Sequence, residues 1–193
     1  MAFGFFRKES RHVVATVLVG VDGEAFLPLQ RATLAQAEAI VAAPDDFGVA
    51  SAAVATVARA LLDHESCWTH AAIGGEVFDD EASAGAQLGE VFADLAGRYL
   101  SVESERLPRA AGDDTSRERR CVVMLTVAYA GQNDEIEREL SDRSDVAAVL
   151  RAISALHARD ALLGAHVHAA PAHPDDRLTD EQLLACFPEL TTV

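Results

Sequence analysis

The chain has 193 residues, half of them apolar and a quarter charged, with 12 Gly and 6 Pro. At about 150 residues per domain this predicts a single α/β domain over residues 1–193 and excludes a disordered or collagen-like polymer. Sixteen Lys and Arg against 31 Asp and Glu leave a net charge of −15, a field that repels phosphate backbones and anionic headgroups and argues against nucleic acid and membrane surfaces as partners.

At the start of the chain Phe3, Phe5 and Phe6 precede Arg7 and Lys8. This is the reverse of a secretory signal and too short for its apolar region, so the cluster reads as a docking tag or as a frayed end tucked against the body. Val13, Val14, Val17, Leu18, Val19 and Val21 form a nearly unbroken β-branched run, which predicts a central strand covered on both faces. The run stops at Asp22-Gly23, short of the roughly 18 uncharged apolar residues of a membrane span. Thr33-Leu34-Ala35-Gln36 has the form of a capping box and predicts a helix that begins there and is stopped by Pro44. A second helix is expected after Asp45-Asp46, where Val49, Ala53, Val57, Ala60 and Leu61 fall at helical spacing. Cys67 to Ile73 carries no charge and is closed by Gly74-Gly75, which predicts a short second strand. Leu88, Val91, Phe92, Leu95 and Tyr99 then make the stripe of an amphipathic helix.

Residues 101–119 turn polar, with Pro108, Gly112 and Asp113-Asp114, and read as a connector between two halves. Cys121 to Ala130 is a second continuous apolar run and predicts another covered strand. Ser144 is the expected cap of a helix whose stripe is Val146, Val149, Leu150, Ile153 and Leu156. Leu163, Ala165, Val167 and Ala169 alternate with Gly164, His166 and His168, the pattern of a strand near an edge with one face less buried. Thr179-Asp180-Glu181-Gln182 is a second capping box, opening a helix that carries Leu183, Leu184 and Phe187 and ends at Pro188. The order β, α, α, β, α, connector, β, α, β, α predicts a roughly four-stranded mixed or partly parallel sheet covered by helices, divisible into two β-α-β-α halves. Gln87-Leu88 with Phe92 and Leu95 repeats the spacing of Gln182-Leu183 with Phe187 and Leu190, which fits either a duplication or the common face of any amphipathic helix.

Chemistry-bearing residues are sparse. Cys67, Cys121 and Cys186 form no C-x-x-C pair and read as reduced, mostly buried thiols, with the cytoplasm as the expected location. His166 and His168 point to one face of a strand and could chelate a metal with His173 or Asp175 as a third ligand; the plainer alternative is a wet strand face. Cys67 with His70 could be a thiolate and its base, but three residues along a strand point to opposite faces, which favours a buried Cys beside Trp68. The pairs Asp45-Asp46, Asp79-Asp80, Asp113-Asp114 and Asp175-Asp176 could bind a cation or act as acid and base. Three of the four lie at or just before helix starts, where a carboxylate caps free N–H groups. Gly74-Gly75 stands among Glu76, Asp79 and Asp80 with no Lys following, which disfavours phosphate. No nucleotide-loop, zinc-protease or serine-hydrolase motif occurs, so no catalytic residue and no cofactor is assigned.

Three stretches carry a family resemblance: Ala60-Leu61-Leu62-Asp63-His64-Glu65-Ser66-Cys67-Trp68, the strand Val122 to Ala130, and the tail Pro171, Asp175, Leu178, Thr179, Asp180, Gln182, Leu183, Leu184, Phe187, Pro188 and Leu190. In these the chain resembles the family catalogued as domain of unknown function 1517 over its last two thirds, and more loosely over the first strand and helix. The resemblance implies an α/β domain without an assigned catalytic activity. The expected role is a non-catalytic regulatory or protein-interaction domain with a protein partner. The alternatives are a metal-binding or metal-sensing protein using His166, His168 and His173, and an enzyme built on Cys67. Pairing of an edge strand between two copies would make a homodimer.

Overall fold

The computed structural model of the chain describes residues 11–104, 120–156, 161–172 and 178–193. In chain order its elements are β1 (His12–Asp22), α1 (Phe26–Ala42), α2 (Phe47–Leu62), β2 (Trp68–Phe78), α3 (Glu81–Ser104), β3 (Arg120–Ala130), α4 (Arg143–Leu156), β4 (Leu162–Ala170), α5 (Asp180–Cys186) and β5 (Thr191–Thr192). The two valine-rich runs pair with each other along their whole length, from His12 opposite Ala130 to Asp22 opposite Arg120. Successive side chains of a strand point to opposite faces, and here both sets are apolar. Val13, Ala15, Val17, Val19 and Val21 lie in one cluster with α1, α2 and α4, while Val14 and Leu18 belong to clusters formed with α3 and α5. The result is three layers, with the sheet in the middle.

The sheet has five strands in the order β4-β3-β1-β2-β5, and every neighbouring pair is antiparallel. The expected four-stranded mixed or partly parallel sheet is therefore wrong, although the α/β class stands. Strand direction depends on how often the connection traverses the sheet. Between β1 and β2 the chain makes two helical passes, α1 and α2, and so returns to the end it left. Between β3 and β4 the irregular segment 131–142 supplies the second pass: Gly131 N donates to Arg11 O at one end of the sheet, and Arg143 Nη2 donates to Trp68 O at the other. α3 makes a single pass, and the strands it joins, β2 and β3, are kept apart by β1. In both halves the helix after the first strand packs on the α1-α2-α4 side and the helix after the second strand on the α3-α5 side.

Several local expectations also shift. The first helix begins at Phe26, not Thr33, because Phe26 and Leu29 bury in the core; Thr33 is mid-helix and its hydroxyl donates to Leu29 O at 2.8 Å. Asp46 caps α2 as its position suggested, accepting from Gly48 N and Val49 N at 2.9 and 3.1 Å. The expected cap Ser144 is instead the second residue of α4, and Asp142 does the capping, accepting from Ser144 N at 2.8 Å. The capping box at Thr179 is present, with Gln182 N donating to Thr179 Oγ1 and Thr179 N to Gln182 Oε1. The connector expected at 101–119 is helical to Ser104, and its remainder lies outside the described residues. Among the described residues no helix is long and apolar enough to cross a membrane.

The largest local revision concerns β2, which runs straight through Gly74-Gly75 to Phe78 instead of ending there. A Cβ on Gly75 would stand 2.8 Å from Val14 O of the neighbouring strand, while one on Gly74 would meet nothing within 4 Å. Gly75→Ala is expected to lower stability by about 1–3 kcal/mol, the usual cost of forcing a backbone shift. Gly74→Ala should stay within about 0.5 kcal/mol of the parent. Urea denaturation of the two variants measures the difference.

Candidate functional site

β2 divides into two unlike halves. Its first half is anchored: Trp68 is buried with its Nε1 donating to Leu61 O at 3.1 Å, and β5 pairs with it at His70 and Ala71. Arg143 ties the same corner together by donating to Trp68 O and Val193 O. Beyond Ala71 the outer side of β2 has no paired strand among the described residues. Val193 N donates to Thr69 O on that outer side, and backbone groups alternate sides along a strand. The N–H and C=O of Ile73, Gly75 and Val77 therefore face outward, those of Ala72, Gly74, Glu76 and Phe78 face β1. Gly74 to Val77 are exposed, and Val77 is 53% exposed.

Two clefts flank this open edge, one on each face of the sheet. On the α1-α2-α4 face a cleft of about 550 Å³ lies between Val13, Ala15 and Ile73 on the sheet and Ile136 and Leu140 of the segment 131–142. Glu137 fixes that segment by accepting from Tyr129 Oη at 3.0 Å and from its own loop at Asn133 N at 2.7 Å, and it pairs with Arg11. Burial, with the Glu137 carboxylate second, raises the Tyr129 pKa, so the phenol stays protonated and keeps donating. On the α3 face a cleft of about 330 Å³ lies between Thr16, Gly74 and Glu76 on the strands and Val91, Asp94 and Arg98 on α3. Ala72 to Glu76 and Glu189 border both clefts.

Gly74-Gly75 and Glu76 lie in this site, whereas the metal and thiolate candidates read from the sequence lie elsewhere. His166 and His168 do share one face of β4, as their spacing implied, and that face is covered by α3: Phe92 lies 4.5 Å from the His166 ring and 5.2 Å from the His168 ring, centroid to centroid. The two imidazoles are 6.4 Å apart. His173 and Asp175 lie outside the described residues, and among those described no three His, Cys, Asp or Glu side chains converge as a metal site would need. Cys67 packs against the α1-α2-α4 cluster with the Ser66 hydroxyl 4.0 Å from its sulfur, whereas His70 bonds Thr69 Oγ1 at 3.1 Å. All three cysteines are free thiols, and burial pushes Cys121 up to about 12. Asp80 accepts from Ser83 N and Ser83 Oγ, bonds that hold its carboxyl below the usual range; the pairs at 113–114 and 175–176 lie outside the described residues. Sequence reading missed the open half of β2 because a Gly-Gly pair looks like a turn. The signal for it is the β-branched and aromatic pair Val77-Phe78 just beyond the glycines.

Desolvation under α3 lowers the pKa of His166 and pushes that of His168 down to about 4, with the neighbouring His166 as a second cause for the latter. The unfolded chain binds these protons near pH 6.5 and the folded chain refuses them, so stability is complete above about pH 6.5 and is lost as pH falls toward about 4. Urea midpoints should accordingly fall between pH 7.5 and 5. His168→Leu should flatten that fall, and an unchanged slope would show that the imidazole is not held neutral.

Set beside known sequences, residues 11–193 match the family model described as "Protein of unknown function (DUF1517)". No curated protein and no solved structure matches. The match spans everything from the first strand to the last, so the chain belongs to the DUF1517 family.

Proposed function

We propose that the chain is a non-catalytic protein-interaction domain that captures an extended segment of another polypeptide by adding it as a strand to β2 along Ile73–Phe78. The observation that carries this is the pairing of an open strand edge with a cleft on each face of the sheet at the same residues. A strand bound there gains backbone hydrogen bonds from Ile73, Gly75 and Val77, and its side chains, alternating between faces, enter one cleft and then the other. Open edges in proteins are ordinarily blunted by Lys, Pro, bulges or a covering segment. Between Ile73 and Phe78 the only charged residue is Glu76, with no Lys and no Pro. The opposite edge strand β4 differs, since each of its residues is buried or half-buried.

Random eight-residue peptides displayed on phage supply the probe. Selected peptides are expected to slow hydrogen exchange at the outward amides of Ile73, Gly75 and Val77, leaving Gly74 and Glu76, already bonded to β1, unaffected. Val77→Pro removes one outward donor while sparing the ladder to β1, and should weaken these peptides at least about tenfold, the scale of one hydrogen bond left unmade at an interface. Val41→Lys, on an exposed position of α1, should leave them unchanged. If Val77→Pro proves unfolded, Val77→Lys is the substitute. Peptides that bind without slowing these amides would overturn the assignment.

A further inference from the structure

Resting on that strand-addition reading, we infer that the captured segment alternates apolar and basic side chains, the apolar ones entering the cleft beside residues 131–142 and the basic ones the cleft beneath α3. Of the charges lining the first cleft, Glu139 is exposed at its rim and Glu76 and Glu189 border both clefts, while the other two are engaged. Glu137 is held by Arg11 and Tyr129, and Arg138 by Asp145 and Glu135. What faces the incoming strand there is the apolar floor of Val13, Ala15 and Ile73 under Ile136 and Leu140, a surface that favours Leu-, Val- or Phe-like side chains.

The second cleft lies on the face to which alternation turns Glu76, opposite Val14. Among the described residues, Glu76, Asp94 and Glu189 border it against one cation, Arg98. Arg98 bridges Asp94 at 3.0 Å and Glu189, so its charge is shared between two carboxylates while Glu76 has no ion pair among the described residues. The cleft thus keeps an excess of negative charge, on the side of the sheet where Gly74 leaves open space above Thr16. A long basic side chain on the added strand lies across Gly74 and brings its cation to this rim. Neighbours on one face of a strand are about 6.5–7 Å apart, so a segment of about six residues reaches both clefts. A second copy of this chain is a poor occupant, because each copy carries a net charge of −15 and their fields repel.

Three labelled eight-residue peptides test the inference by fluorescence anisotropy on the full chain: alternating Val-Lys, Val-Thr and Val-Glu. Val-Lys should bind about tenfold tighter than Val-Thr at low salt, with Val-Glu weakest, and the gap should narrow as salt is raised. A block peptide of four Val followed by four Lys has the same composition but puts cations on both faces, and should lose the advantage. Glu76→Lys should reverse the order of Val-Lys and Val-Glu and leave Val-Thr within about twofold; Gly74→Val, which fills the opening, should weaken Val-Lys most. If the peptides bind, lose affinity on Val77→Pro, and yet show no preference among charges, the inference is overturned and strand addition stands. If none binds, both are overturned. A dimer in sedimentation equilibrium that Val77→Pro dissolves gives the edge to a second copy and also overturns the basic partner.

Discussion

The pairing of β1 with β3 is the constraint from which the other features follow. Eleven residues of each strand lie side by side, and both faces of the pair are buried. A strand pair apolar on one face needs one covering layer; apolar on both, it needs two. That demand places α1, α2 and α4 on one side and α3 and α5 on the other. It also dictates what polar groups are tolerated at the centre. Thr16 and Thr126 face each other across the two strands with their hydroxyls 3.2 Å apart, each satisfying the other where an unpaired hydroxyl would cost about 1–3 kcal/mol.

Away from this pair the burial declines, and it declines unevenly. On the β4 side α1 and α2 extend over the edge strand. On the β2 side the cover is concentrated at one end, where Trp68, β5 and the Arg143 contacts form a closed corner. β5 is only two residues long because the chain enters it directly from α5: Phe187 is buried among Leu178, Leu183 and Leu190, and Leu190 N still bonds Phe187 O. The helix has to sit over the sheet before the strand can begin, so the chain first meets the β2 edge at Ala71 and runs from there toward Thr69, away from Ile73–Phe78. The open stretch of β2 is thus a geometric consequence of where α5 docks.

How much of this is legible in the sequence follows from how local each cause is. The two valine runs, the Leu88 stripe and the Thr179 capping box are set by neighbours a few residues away, and all appear where the pattern put them. Strand direction is not local. It turns on segment 131–142 crossing the sheet without regular secondary structure, which no periodicity announces. Thr33 shows the opposite failure, a real local motif overridden by the burial of Phe26 and Leu29 one and two turns earlier. Gly74-Gly75 was misread for the same reason: turn chemistry is a property of the dipeptide, but the ladder to β1 holds the pair extended, and Gly75 is there because Val14 O comes too close for a Cβ. At His166 and His168 the alternation was readable, whereas the cover by Phe92 from a helix some 75 residues away was not.

An open strand edge is a hazard as well as an opportunity, since whatever lets one polypeptide add to it lets a second copy add too. Proteins usually resolve this on the edge itself, with a Lys or a Pro. Here Ile73, Gly74, Gly75, Val77 and Phe78 leave the edge undefended apart from Glu76, and the defence is carried by the molecule as a whole: 31 acidic residues against 16 basic. A like-charged copy is repelled on approach, most strongly at low ionic strength. The same field favours a cationic segment over an anionic one, and the carboxylates of Glu76, Asp94 and Glu189 border the cleft that side chains of the proposed added strand would enter. Global charge and local rim therefore select in the same direction, which is how an edge can stay exposed without becoming a site of self-association.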